Sequence, residues 1–190
     1  MPEPITSLVA QSSLPASGQV FSDTLRLSIL PARTTIRLQL GARSQKTVNS
    51  LKVAGRSMPV AINRWSGDDP VTLRIGPDTW LFHSAYHEAP ELLTAIRAGC
   101  GRRSFAATDV SDSFVTIAVD GSQAAALFER GCGLDLSMET FGSSACTRTR
   151  LAQWPVVLRR VTSERIECLV DRSAAQWLYN WFEDAAGGLV

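Results

Sequence analysis

The chain contains two histidines, His83 and His87, whose spacing could place two imidazoles on one face of a metal-binding helix. Glu88 follows directly and could add a carboxylate ligand. However, His83 comes at the end of the apolar run Trp80-Leu-Phe82, which is typical of a strand, so the two rings are not expected to share a face. A third ligand is missing nearby. We therefore expect both histidines to lie on the surface or in loops, with no metal bound.

The acid pair Asp68 and Asp69 could supply a general base. A carboxylate needs a buried pocket to become a useful base. Here Gly67 precedes the pair and Pro70 follows it, and this composition is typical of a solvated turn. We expect no catalytic role for either acid.

Other motifs of enzymes and cofactor-binding proteins are missing from the sequence. No serine stands in a Gly-x-Ser-x-Gly elbow, and Gly131-Cys-Gly133 belongs to neither nucleotide-binding glycine pattern. These glycines are more simply a helix stop and a turn. We predict no catalytic, cofactor-binding or metal-binding residues. The cysteines form no Cys-x-x-Cys pair and are expected to be small buried side chains, without disulfides: Cys100, Cys132, Cys146 and Cys168.

Composition narrows the class of protein. Hydrophobic residues make up 45% of the 190 residues, which is enough for a sizeable core. The 19 Lys and Arg balance 18 Asp and Glu, so a nucleic-acid partner is not expected. No stretch reaches the ~18 apolar residues of a membrane span. The start, Met1-Pro-Glu-Pro4, does not resemble a secretion signal, and we expect a cytoplasmic location.

Two halves of the chain resemble each other. Residues 1–24 are rich in Ser, Pro and Gly and predict an N-terminal arm, followed by one α+β domain over residues 25–190. Within the domain, repeats of about 30–105 and 106–188 each predict a strand, a hairpin and a helix, related by a pseudo-twofold axis. The aligned segments are strands Thr35–Leu40 and Phe114–Val119, hairpins Arg74–Phe82 and Arg160–Cys168, and helical residues Leu92 with Leu178 and Ile96 with Phe182.

Helix ends carry recognisable signals. Ser173 with Gln176 predicts a capping box for the last helix, and Pro90 suits the first turn of the earlier one. Ser122 could cap a short helix between Gly121 and Gly131.

Five tryptophans exceed what a small core usually holds. Trp177 and Trp181 stand one helical turn apart, and Trp154 lies near Arg148 and Arg150 in sequence. Because Trp and Arg concentrate binding energy at interfaces, we predict a partner interface that includes Arg148, Arg150, Trp154 and Trp177. We expect Trp181 to be mainly a core residue. The alternative, that all of these rings only pack the core, stays open.

Several segments, taken in order, resemble one family. They are Leu73–Leu81 with its Gly-Pro-Asp turn, Asp109–Asp120, the Gly-Cys-Gly-Leu-Asp-Leu-Ser run over Gly131–Ser137, the Cys-Thr-Arg-Thr run over Cys146–Thr149, and Arg172–Leu178. Together they resemble the gamma subunit of heterotetrameric sarcosine oxidase, over roughly residues 30 to 186.

The resemblance implies a non-catalytic structural subunit of an enzyme that oxidatively demethylates sarcosine to glycine. It implies alpha, beta and delta subunits as partners. It also implies that FAD, FMN, NAD, tetrahydrofolate and zinc belong to those partners. The fold it implies is similar to the folate-binding domain of the glycine-cleavage aminomethyltransferases.

Two alternatives stay open at this point. One is a free-standing folate-binding or aminomethyltransferase-like protein of one-carbon metabolism, because the catalytic acid of those enzymes lies in a similar register to Asp68 and Asp69. The other is an interaction module that serves a related amine oxidase.

Overall fold

The computed structural model describes residues 14, 18–41 and 51–189 of the chain. The strands of this part are β1 (Gly18–Ser22), β2 (Leu25–Ile29), β3 (Thr34–Leu40), β4 (Lys52–Val53), β5 (Arg56–Ser57), β6 (Arg64–Ser66), β7 (Val71–Arg74), β8 (Thr79–Ser84), β9 (Phe105–Asp109), β10 (Phe114–Asp120), β11 (Cys146–Leu151), β12 (Trp154–Thr162) and β13 (Arg165–Asp171). The helices are α1 (Ala89–Cys100), α2 (Ala124–Glu129) and α3 (Ala175–Gly187).

The strands form two large sheets and one small ribbon. The six-stranded sheet has the order β1-β2-β10-β13-β12-β11, and the five-stranded sheet has the order β6-β7-β8-β3-β9. Strands β4 and β5 form the ribbon. All of these pairs are antiparallel, and the mixture of sheets and helices confirms the predicted α+β class.

The sheets and helices stack in four layers. Helix α1 packs on the outer face of the five-stranded sheet and buries Leu92, Ile96 and Cys100 against Trp80 and Phe82. Helices α2 and α3 cover the outer face of the six-stranded sheet. The inner faces of the two sheets pack on each other through the buried residues Val71, Leu73, Leu81, Cys146, Val157 and Leu169. The fold therefore has one inner and two outer apolar layers.

Strand pairing follows the predicted alignment of the two halves. Arg74 pairs with Trp80 in the first hairpin, and the aligned Arg160 pairs with Ile166 in the second. The helix stripes correspond as well, because α3 buries Leu178, Phe182 and Ala186 at the spacing of the α1 stripe. Strand β3, predicted from the alternation of residues 35–40, lies beside the first hairpin as β10 lies beside the second.

The halves differ in one strand. In the five-stranded sheet, β9 follows α1 in sequence and pairs with β3. In the six-stranded sheet, the equivalent place beside β10 is taken by β2, which precedes both halves. The predicted arm, residues 1–24, lies mostly outside the described residues, but Gly18–Ser22 forms strand β1 and pairs with β2.

Two predicted helix caps are wrong and one signal is confirmed. Asp171, not Ser173, starts the last helical segment, because its Oδ1 accepts hydrogen bonds from the Ser173 amide at 2.9 Å and hydroxyl at 2.6 Å. Helix α2 begins without the side-chain cap predicted for Ser122. Pro90 lies in the first turn of α1, as expected.

A buried carboxylate closes one end of the layer between the sheets. Glu167 is 2% exposed, and its Oε2 accepts a hydrogen bond from Arg159 at 2.6 Å. Arg165 Nη2 lies 3.3 Å from Oε1, and Arg33 Nη1 lies 4.0 Å from Oε2. Burial acts to raise the pKa of Glu167, but the attraction of Arg159 and Arg33 outweighs it and leaves the pKa below its usual value. The carboxylate is therefore ionised at neutral pH.

His83 lies in the same inner layer, so the prediction of a surface or loop position is wrong for this residue. It is 2% exposed, with Nδ1 2.9 Å from Thr35 Oγ1 and Nε2 3.5 Å from Thr116 Oγ1 across the layer. Burial, followed by the positive charge of Arg33, lowers the pKa of His83 to about 3. Strand alternation places its ring on the same inner face as Leu81.

Replacing His83 should reduce the sensitivity of the fold to acid. Because its folded pKa of about 3 lies below the usual 6.5, the unfolded chain takes up a proton first when the pH falls. Stability is therefore lost progressively from pH 6.5 downwards, by roughly 2 kcal/mol at pH 5. In urea denaturation at pH 7 and pH 5, His83→Gln should lose less unfolding free energy than the wild type by about this amount.

The matched control is His87→Gln, since the His87 side chain is 38% exposed. This variant retains His83, so it should lose more unfolding free energy between the two pH values than His83→Gln does. An equal loss in His83→Gln and the wild type would contradict the assignment of a buried neutral ring.

Candidate functional site

Two predicted interface residues, Trp154 and Trp177, come together on the surface of the six-stranded sheet. Trp154 begins β12 and Trp177 lies near the start of α3, with ring centroids 6.2 Å apart. Their residues remain 39% and 49% exposed. Together with Trp181 they form what we call the tryptophan patch. Two large rings in mutual contact and open to solvent are typical of an interaction surface.

A tight hairpin presents Trp154 to the helix side of the sheet. Ala152 and Gln153 connect β11 to β12 with positive φ values of 46° and 75°, as a two-residue hairpin turn requires. Trp154 pairs with Leu151, whose side chain is buried in the layer under α2 and α3. Directly opposed residues share a face, so the Trp154 ring also lies on this side.

Trp181 forms the floor of the patch. It is half-buried against the core, and its ring centroid lies 5.4 Å from that of Phe182. Gly131, which follows the end of α2 as predicted, allows this close packing, because a Cβ there would lie 2.6 Å from Trp181 Cζ2. A groove of about 500 Å³ runs along the patch, lined by Ala152, Gln153, Trp154, Trp177 and Trp181.

The predicted arginines do not join this patch. Arg148 pairs with Val157, which is buried between the two sheets, and Arg150 pairs with Pro155 on the same face. Both arginines are exposed, but they lie on the inner face of the six-stranded sheet, opposite to the face that carries Trp154. The structure thus separates the four predicted residues into two pairs on opposite sides of the six-stranded sheet.

The acid pair holds a turn. Asp68 is exposed, as expected for a solvated turn, whereas Asp69 is partly buried. Asp69 Oδ2 accepts a hydrogen bond from the Ser84 hydroxyl at 2.7 Å, and Oδ1 accepts one from the Ala85 amide at 2.8 Å. The two carboxylate oxygens therefore fix the end of β8 and the residue that follows it.

His87 stands beside this turn, in the loop that precedes α1. Its Nε2 lies 3.8 Å from Asp69 Oδ2 and its Nδ1 lies 3.2 Å from Glu91 Oε1. His83, in contrast, points into the layer between the sheets, so the two imidazoles lie on different elements and do not face a common point. Within the described residues no group of three or more potential ligands could hold a metal ion.

The four cysteines are buried and free, which confirms their prediction as small core residues. Burial raises the pKa of Cys146 to about 12 and also raises the pKa of Cys100 and Cys168. These thiols are therefore weak nucleophiles at neutral pH. None of the helices in the described part of the chain is long and apolar enough to cross a membrane.

Comparison with known proteins gives one family. The model of the family described as sarcosine oxidase, gamma subunit, matches residues 44–188. A curated relative, sarcosine oxidase subunit gamma from Corynebacterium sp. (strain U-96), is 29% identical over 133 residues, which are 69% of this chain. The match spans 64% of the length of that relative.

Solved structures show the same fold. One chain of the heterotetrameric sarcosine oxidase from Corynebacterium sp. U-96, solved with pyrrole 2-carboxylate, matches with a TM-score of 0.73 and 23% identity, covering 86% of this chain and 84% of that chain. The glycine cleavage system aminomethyltransferase T from Bartonella henselae matches with a TM-score of 0.58 and 13% identity, covering 81% of this chain and 44% of that chain. The predicted likeness to the aminomethyltransferase fold is thereby confirmed.

Truncation of Trp154 and truncation of Trp181 should affect the stability of the chain differently. Trp154→Ala should lower the unfolding free energy of the chain by less than about 1 kcal/mol, because the ring is largely outside the core. Trp181→Ala should lower it by roughly 3 kcal/mol, because it removes the packing against Phe182 and leaves a cavity. Urea denaturation of the two variants measures this difference. If Trp154→Ala lost as much unfolding free energy as Trp181→Ala, Trp154 would be shown to be a core residue.

Proposed function

We propose that this chain, which belongs to the sarcosine oxidase gamma subunit family, is a non-catalytic structural subunit of a heterotetrameric sarcosine oxidase. The complex oxidatively demethylates sarcosine to glycine, and this chain assembles with its alpha, beta and delta subunits. The contact between the exposed rings of Trp154 and Trp177 carries the proposal, because it offers a surface for a partner.

In this proposal the chemistry belongs to the partners. FAD, FMN, NAD, tetrahydrofolate and zinc are held by other subunits, and this chain contributes a surface on which those subunits pack. The residues of this chain that could have formed a cofactor-binding or catalytic site have structural roles, which supports this division. Gly131 serves the close packing of Trp181, and Asp69 has both carboxylate oxygens occupied by the turn at Ser84 and Ala85. A general base would need its carboxylate directed at a substrate.

A free-standing folate-binding or aminomethyltransferase-like protein is the second candidate. It is favoured by the likeness in fold to the Bartonella henselae aminomethyltransferase and by the group of Asp69, His87 and Glu91. The hydrogen bonds that occupy Asp69 argue against it.

Truncation of the patch should weaken assembly. Trp154→Ala and Trp177→Ala should each cost at least ~2 kcal/mol of binding free energy, or about thirtyfold in Kd for the remaining subunits, as interface hot spots do. Tyr86→Ala is the matched control, since Tyr86 is 86% exposed and lies away from the patch. Binding of the full chain to the other three subunits can be measured by calorimetry.

Unchanged binding of both tryptophan variants would reject the patch as the interface. A free chain that retains stoichiometric flavin through gel filtration would reject the assignment of the cofactors to the partners.

Asp69→Asn separates the two candidate functions. We expect the activity of the assembled complex to stay within about twofold, because general acid–base groups typically contribute ~10²–10⁴-fold and Asp69 is not one of them. Asn retains an acceptor for the Ala85 amide, so assembly should be preserved. A hundredfold loss of activity with intact assembly would favour the aminomethyltransferase-like function.

A further inference from the structure

The layer between the two sheets opens into a cleft at the end away from Glu167. The cleft has a volume of about 340 Å³, which lies in the range of small-molecule sites. Its walls come from both sheets and combine apolar with hydrogen-bonding side chains. The apolar walls include Leu81, Phe114 and Val157, and the polar ones include Gln39, Thr79 and Ser113.

Two arginines line this cleft from opposite walls. Arg37 belongs to β3 in the five-stranded sheet, and Arg148 belongs to β11 in the six-stranded sheet. Each is directly opposite a residue of the inner apolar layer, since Arg37 pairs with Leu81 and Arg148 pairs with Val157. Directly opposed residues share a face, so both guanidinium groups extend from the inner faces of the sandwich.

Neither guanidinium has an ion pair or side-chain hydrogen bond within the described part of the chain. Arg159, which also belongs to the inner layer, is paired with Glu167. One acid, Asp171, also lines the cleft, but its Oδ1 already accepts two hydrogen bonds from Ser173. The lining therefore carries more positive than negative charge.

Protection of a sheet edge explains only one of these arginines. Strand β11 is the last strand of its sheet, and a charge that points inward on an edge strand discourages unwanted pairing. Strand β3 lies between β8 and β9, so Arg37 protects no edge. Protection of an edge therefore does not account for the pair.

We propose that the cleft is a binding site for a small organic carboxylate. The carboxylate lies between Arg37 and Arg148, because guanidinium groups bind carboxylates with paired hydrogen bonds. The apolar part of the ligand contacts Leu81, Phe114 and Val157, and Gln39 supplies a further hydrogen bond. This site lies on the opposite face of the sheet from the tryptophan patch and does not depend on the proposed function.

Binding of 2-naphthoate to the isotope-labelled full chain, followed by NMR titration, tests the site. The probe has a carboxylate on a flat apolar body, and we expect Kd of about 1 mM or lower. Amide signals of β3 and β12 should shift. Arg37→Gln and Arg148→Gln should each raise Kd at least tenfold. The neutral amide, 2-naphthamide, should bind at least tenfold more weakly than 2-naphthoate.

Arg150→Gln is the matched control, because Arg150 lies on the same strand and the same face but outside the cleft lining. Its Kd should stay within twofold of the wild type. Equal binding of acid and amide, an equal effect of Arg150→Gln, or no shifts at millimolar probe would each overturn the proposal.

The same titration on the assembled complex separates two sources of the carboxylate. Retained binding of 2-naphthoate supports a small-molecule site. Loss of binding in the complex, with weaker assembly of Arg37→Gln and Arg148→Gln, would show that an acidic side chain of a partner occupies the cleft, and the proposal would then be wrong.

Discussion

A charge between the two sheets has to be paired or reach water, and this requirement shapes the inner layer of the molecule. At one end Glu167 is buried, and the cost of removing a carboxylate from water is large unless cations surround it. Arg159 and Arg165 come from the six-stranded sheet, whereas Arg33 precedes β3 of the other sheet. The carboxylate thus joins both sheets. The positive field of Arg33 then helps to keep the neighbouring His83 neutral.

At the opposite end of the layer the charges reach water instead of being paired. Arg37 and Arg148 have no buried acid as partner among the described residues, and the sheets leave a cleft at their side chains. Between the two ends, the apolar contacts of Leu73, Leu81 and Leu169 hold the sheets together. The inner layer is therefore closed where its charges are paired and open where they are not.

Local periodicity predicted much of the fold, because hairpins and helix stripes are set by neighbouring residues. The alignment of Arg74 with Arg160 and of Leu92 with Leu178 matches the observed pairing and burial. Sequence alone did not show that the inner face of β8 meets a second sheet, so the burial of His83 was missed. Alternation along β11 and β12 also separates Arg148 from Trp154, although the two are close in sequence.

Helices α1 and α3 occupy corresponding places in the two halves of the fold. In the alignment of α1 with α3, Trp177 corresponds to Glu91 and Trp181 to Ala95. The first half packs its helix on its sheet without an indole at either position. The packing of such a helix on a sheet therefore does not require Trp177. The Trp177 residue is 49% exposed and adds little to the core. Packing accounts for the stripe that both halves share, whereas the exposed rings of Trp154 and Trp177 are additions to the second half that contact with a partner would explain.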